Sequence, residues 1–206
     1  MRLAVALSVF FALLLTAPVF AADQSKEASS FVNNVATQAF DTIASKRAGK
    51  LSGEQAKVNF RKILNEAFDV PTIARFTLGR YWRVATPEQQ KEFTGLIQTA
   101  ILDKYADRVL SYSGDGFTMN SSKAINDKDY NVAMTIKRDQ GAPVDLTWRL
   151  RNNGKAFKVI DMSVEGISMS VTHRADFASI IERNGGQVQA LINALKNKDA
   201  LPSEKK

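Results

Sequence analysis

The chain has 206 residues, of which 45% are apolar, and a formal net charge of +7. That length suits one domain with a substantial core. It contains no cysteine, which excludes disulfides, thiol catalysis and thiolate metal sites. The basic surplus calls for an anionic counterpart: nucleic acid, an anionic membrane or an acidic protein.

The N-terminus selects among these. Arg2 precedes an apolar run from Leu3 to Leu15 broken only by Ser8, followed by Pro18 and Val19-Phe20-Ala21. The run is short for a membrane span, and small residues at Val19 and Ala21 fit a cleavage site before Ala22. The chain therefore reads as an export leader over residues 1–21, a single domain over 22–196 and a disordered charged tail over 197–206. Such a protein works in the periplasm, away from nucleic acid. Its basic surface then faces anionic lipid headgroups or an acidic partner.

Helical spacing comes next. Ala28, Phe31, Val32, Val35, Ala39, Phe40 and Ile43 predict a helix over Lys26 to Lys46, with Gly49 as a stop. Ser52 and Gln55 form a capping-box pattern ahead of Ala56, Phe60, Ile63, Leu64 and Ala67. Pro71 pushes Val70 off the helical region and marks a boundary. A short helix from Pro71 to Leu78 ends at Gly79. Thr86-Pro87-Glu88-Gln89 offers a threonine cap, proline at the first helical position and glutamine at the third. The long helix after it carries Phe93, Leu96, Ile97, Ala100, Ile101, Tyr105, Val109 and Leu110.

After Gly114-Asp115-Gly116 the period changes to two. Strands are expected over Phe117 to Ala124, Asp129 to Lys137, Val144 to Arg151 and Phe157 to Val164. In the second, Tyr130, Val132, Met134 and Ile136 share a face; in the third, Val144, Leu146, Trp148 and Leu150 do. Asp139-Gln140-Gly141 supplies one turn, and Asn153-Gly154 reads as a two-residue hairpin. In the fourth strand the apolar phase shifts between Val159 and Ile160, which predicts a bulge or a strand buried on both faces. Beyond Gly166, Ile167, Met169 and Val171 continue the alternation. Asp176 to Arg183 and Gln187 to Lys196 read as helices split by Gly185-Gly186. The expected fold is α+β: an antiparallel meander of four to five strands wrapped by N-terminal helices and a C-terminal helix.

Catalytic signals are scarce. His173 is the sole histidine and reads as a surface or capping residue. Asp127 and Asp129 beside Asn126 read as a polar turn, since no calcium-loop glycine or distal glutamate follows. No metal, cofactor or nucleotide is expected, and enzyme is the weaker class. Arg75, Phe76, Arg80, Tyr81, Trp82 and Arg83 cluster aromatic with basic side chains. They read either as a short helix packing its rings on the sheet, or as the mouth of an apolar cavity with arginines near phosphate.

Two runs carry a resemblance. The first is Phe68-Asp69-Val70, Ile73 to Phe76, Leu78 to Arg83, then Thr86 to Gln89 and Phe93. The second is Lys158 to Asp161 with Val164 to Ser168, then Arg174, Phe177, Ile180-Ile181 and Gly185-Gly186. Together the chain resembles the MlaC-type periplasmic phospholipid-binding proteins, also called toluene-tolerance proteins. Thr172-His173 and the Ser168-Met169 neighbourhood depart from the general pattern and resemble the hopanoid-associated branch, HpnM. The resemblance implies a soluble carrier of phospholipid or hopanoid between outer and inner membranes, with the tails inside an apolar lipid cavity. It implies an inner-membrane ABC transporter with an MCE-type subunit, and an outer-membrane lipoprotein, as partners of a monomer. Candidate lining residues are then Phe76, Tyr81, Trp82, Ile97, Ile101, Tyr105, Val132, Met134, Leu146 and Trp148. Arg80, Arg83 and Arg174 are candidates for the headgroup or docking rim.

The residues permit this independently. Eight strand residues span about 27 Å, longer than the roughly 15 Å half-thickness of a bilayer core. Two other classes stay open: a periplasmic structural or assembly protein with a self-packed sheet, and a lipid hydrolase, for which no nucleophile–base set is visible.

Overall fold

A computed structural model describes residues 19–114 and 116–197; the side chains of 19–23, 101–105, 107 and 108 lie outside the description. The leader expectation therefore lies outside the described residues except for 19–21, which are helical, and the tail expectation does so beyond Asn197.

Among the described residues four helices precede the sheet: α1 (Val19–Arg47), α2 (Gly53–Ala67), α3 (Val70–Leu78) and, after a 3-10 turn at Gly79–Arg83, α4 (Pro87–Leu110). Strands β1 (Phe117–Ala124), β2 (Asp129–Ile136), β3 (Val144–Asn152), β4 (Phe157–Val164) and β5 (Ile167–Ser168) form one antiparallel sheet in sequence order. Helices α5 (Met169–Arg183) and α6 (Val188–Lys196) return against the helical half. The α+β meander expected from the sequence is present.

Local chemistry sets most boundaries. The Ser52 hydroxyl accepts from Gln55 N at 3.2 Å while Gln55 Oε1 accepts from Ser52 N at 2.8 Å. Thr86 and Gln89 exchange the same pair of bonds at 3.2 and 3.1 Å. Each box satisfies N–H groups that a helix start leaves orphaned. The α3 start falls one residue early: Val70 is helical, because the Asp69 carboxylate caps Thr72 N at 3.1 Å and places the proline within the first two positions.

Three other differences are physical. Helix α1 is already formed at Val19, ahead of the expected Lys26, and the Tyr130 hydroxyl donates to Gln24 Oε1, tying that extension to β2. The β3–β4 turn spans Asn153 to Ala156 rather than two residues, because Asn153 Oδ1 accepts from both Lys155 N and Ala156 N. Met169 and Val171 belong to α5, not to a strand. Ser168 caps Val171 N at 3.1 Å, and the Asp161 carboxylate holds Ser168 Oγ at 2.5 Å and Ser170 N at 3.0 Å. These bonds turn the chain into a helix before the alternation can extend.

The sheet register pairs Tyr130 with Leu150, Val132 with Trp148, Met134 with Leu146 and Ile136 with Val144. Both apolar sets therefore share one face. The phase shift in β4 is a bulge: Leu150 pairs with Val159 but Arg149 with Asp161, leaving Ile160 as the extra residue. On the opposite face Asp129 is buried beneath Arg149 (3.0 Å) and Arg151 (2.7 Å). Hydrogen bonding from Arg151, aided by Arg149, holds the Asp129 carboxyl below the usual range despite its desolvation. Asn126 Oδ1 accepts from Lys128 N and Asp129 N, the polar turn the sequence suggested.

Two large apolar cores result. The sheet-side core joins Val132, Met134, Trp148 and Leu150 to Ala28 and Val32 of α1 and Ile63 and Ala67 of α2. The helix-side core joins Leu78 and Tyr81 to Phe93 and Ile97 of α4, Phe177 and Ile181 of α5, and Leu191 and Ile192 of α6.

Candidate functional site

A cavity of about 110 Å³ opens at the seam between these cores. Helix α2 supplies Phe60, Leu64 and Asn65; the α2–α3 connection supplies Phe68; α3 supplies Val70 and Ile73; α4 supplies Ile97, Gln98 and Val109; and β4 supplies Met162. Eight of these ten side chains are hydrocarbon or thioether, and none is charged.

Backbone geometry aims the wall inward. Phe68 ends α2 in an extended conformation (φ −97°, ψ 142°) and forms a parallel bridge with Val159 of β4. Asp69 N donates to Val159 O at 2.9 Å, pinning the connection onto the sheet. The Phe68 ring then lies 6.2 Å from the Trp148 ring, centroid to centroid. At the rim, Gln98 Nε2 donates to Asn65 Oδ1 at 2.6 Å, joining α4 to α2.

The wall has no acid–base pair and no cation, so it offers hydrocarbon contact and little else. Its volume is of the order of the ~150 Å³ apolar cavity known to hold benzene, room for a short length of hydrocarbon.

The candidate lining residues divide into four groups. Ile97 is in the wall. Trp148 stands one layer behind it, beside Phe68 and directly across the ladder from Met162, with its indole N–H on Met134 Sδ at 3.0 Å. Val132, Met134 and Leu146 lie in the sheet-side core. Tyr81 is buried in the helix-side core and Trp82 packs against it, its carbonyl accepting from Gln90 Nε2 at 2.8 Å. Phe76 is exposed, with the Arg174 guanidinium 5.3 Å above its ring. The side chains of Ile101 and Tyr105 lie outside the described residues.

The rim arginines are grouped on the α3–α5 side. Arg80 ion-pairs with Glu182 at 2.5 Å and donates to the Tyr81 hydroxyl at 2.8 Å. Arg83 is exposed. Arg174 packs on Gly79, where an added Cβ would come within 2.8 Å of its Nε and push the guanidinium aside; the φ of +59° is what requires glycine there. None of the three is in the described cavity wall.

His173 is not on the surface. It is buried and stacks on Phe177 with ring centroids 5.7 Å apart and planes 13° from parallel. Among the described residues no cluster of histidine and acidic side chains could hold a metal ion. No described helix is long and apolar enough to cross a membrane.

Sequence reasoning missed Phe60, Leu64, Phe68, Val70, Ile73, Val109 and Met162 as cavity lining. Phe60, Leu64 and Phe68 recur every four residues, so their common face was visible. Nothing in that spacing separates a cavity wall from a filled core.

A helix-wrapped antiparallel sheet enclosing a hydrocarbon-lined cavity defines an α+β domain of the apolar-ligand-binding type. Residues 33–197 match the family model described as MlaC protein, and the chain belongs to that family. It is 29% identical over 152 residues to the toluene tolerance protein Ttg2D of Pseudomonas putida, covering 70% of this chain and 71% of that one. It is 28% identical over 129 residues to the intermembrane phospholipid transport system binding protein MlaC of Haemophilus influenzae, covering 61% and 59%. The fold is similar to that of a phospholipid-binding protein from Ralstonia solanacearum solved in complex with a phospholipid. The TM-score is 0.74 at 24% identity, over 84% of this chain and 97% of that one.

Proposed function

We propose that the protein is a periplasmic carrier that holds a phospholipid by its tails at the seam between the two cores. It would pass that lipid between membranes as the binding component of a transport system. The observation that supports this most is the uncharged, mainly hydrocarbon wall joining Phe60, Phe68, Ile97 and Met162 from two helices, the α2–α3 connection and a strand. A family whose named relatives include a phospholipid transport binding protein, and a phospholipid-bound fold neighbour, point the same way.

Burying about thirty methylenes is worth on the order of 24 kcal/mol gross against water. Lipid then does not leave into water unaided. Against a bilayer, where the tails are already buried, the net transfer free energy falls near zero, as a shuttle requires. Docking tips the balance. Exposed Phe76, Arg174 and Arg83 are the proposed docking surface, facing an inner-membrane ABC transporter with its MCE-type subunit, an outer-membrane lipoprotein, or headgroups. Arg80, held by Glu182, fixes the turn rather than reaching for phosphate.

Mass spectrometry of lipid extracted from the purified protein tests the reading. Stoichiometric diacyl phospholipid is expected. A hopanoid alone would move the protein to a different ligand, and a ligand-free protein that accepts no lipid from vesicles would overturn the carrier reading.

A further inference from the structure

The described cavity has room for a short length of hydrocarbon, so on the carrier reading a whole acyl chain enters by parting its wall. Phe68 and Asp69 are pinned to β4 by the bridge to Val159, and Met162 sits inside the β3–β4 ladder. Val70 and Ile73 belong to α3, which packs along α5. The remaining walls are α2 and α4, and Gln98 Nε2 and Asn65 Oδ1 join them across the cavity edge at 2.6 Å. These two amides are the polar members of the described wall, and each follows an apolar lining residue, Leu64 or Ile97. Asn65 is exposed and Gln98 half-buried, so both can exchange their mutual bond for water without leaving a buried group unsatisfied.

We propose that Asn65 and Gln98 form an entry latch: their hydrogen bond holds α2 against α4 in the empty carrier, and it must open for an acyl chain to enter or leave. This rests on the carrier reading and adds the route of entry to it. A neutral amide pair suits the role. It is weak enough to open at thermal cost, and it is uncharged, so it neither attracts nor repels a headgroup passing over it. A buried apolar contact at the same place would be costlier to part, because opening would expose hydrocarbon to water.

The chain has no cysteine, so a pair of introduced thiols is uniquely addressable. Asn65→Cys/Gln98→Cys is stripped of lipid, bridged with a short cleavable bismaleimide and mixed with phosphatidylethanolamine–phosphatidylglycerol vesicles carrying a fluorescent phospholipid. Bridged protein should load at least tenfold more slowly than unbridged protein, and cleavage should restore the rate. Protein bridged after loading should release lipid to acceptor vesicles at least tenfold more slowly. In a separate arm, Gln98→Ala and Asn65→Ala each remove the bond without adding a new apolar contact across the edge. Loading should rise about two- to tenfold, the range spanned by one net hydrogen bond, while the midpoint of thermal unfolding falls by only a few degrees.

Bridged protein that loads and releases within twofold of the unbridged form would overturn the latch, as would alanine variants that load no faster than wild type. If wild-type protein itself takes up no lipid, the carrier reading fails and the latch with it. If wild type loads and bridging has no effect, the latch alone fails.

Discussion

The two cores are made of the same kinds of side chain and are held by different means. The helix-side core is closed by capped helices and by contacts such as the edge-to-face pair Phe93–Phe177, with ring centroids 5.7 Å apart. Its buried members interlock among α3 to α6. The sheet-side core is held by register: Val132, Met134, Leu146 and Trp148 stay together because their strands pair as they do. Each core has its own set of buried side chains, and the described apolar cavity lies where they meet. A domain can therefore bury two sets of apolar side chains and still hold a site for hydrocarbon where they meet.

Truncations rank the two sides and the seam. Phe93→Ala, at a fully buried ring, should cost about 3–5 kcal/mol in urea unfolding. Leu150→Ala in the sheet-side core should cost about 2–5 kcal/mol. Met162→Ala, half-buried on the cavity wall, should cost about 1 kcal/mol, below both, because the space it leaves joins one already present. Equal costs at all three positions would mean that the seam is packed as tightly as the cores.

The polar outer face of the sheet offers a pH test. The Asp129 pKa is depressed in the folded state, by Arg151 first, so its contribution is present above the unfolded carboxylate pKa of about 3.9 and is lost as pH falls through the folded value. Losing its charge-assisted bonds in Asp129→Asn should cost about 1.5–3 kcal/mol at pH 7 and flatten the acid limb of stability against pH. An unchanged acid limb would assign that limb to other carboxylates.

Gly79→Ala probes the α3–α5 side. Its positive φ and the contact with Arg174 should together cost about 1–2 kcal/mol and displace the guanidinium from Phe76. Thermal unfolding gives the cost, and transfer to anionic vesicles gives the effect on docking.

The smallest expected effect is optical. In a Trp82→Phe background, Trp148 emission should shift by a few nanometres when lipid is stripped, because Phe68 and Met162 separate it from the cavity by one layer. No shift after chemically verified stripping would place the lipid away from that wall.

How much of this was legible follows from the distance over which each feature is decided. The capping boxes at Ser52 and Thr86, the period-two faces of β2 and β3 and the bulge at Ile160 depend on residues within a few positions of one another. All could be read from the chain. Met169 and Val171 misled the alternation because Asp161, on another element, turns them into a helix. The Asn153-Gly154 turn widened because one side-chain carbonyl captured two N–H groups.

By itself the sequence determined the order of elements, the greasy face of the sheet, the starts of α2 and α4 and the family. Only the tertiary structure decided which apolar residues face a gap rather than a neighbour. Phe60 on α2, Ile97 on α4 and Met162 on β4 meet at one cavity although long stretches of chain separate them. Hydrophobic burial is non-directional, so a cavity-facing phenylalanine and a packed one have the same pattern in the chain. The difference lies in what stands opposite, and that is set by the seam where the two cores meet.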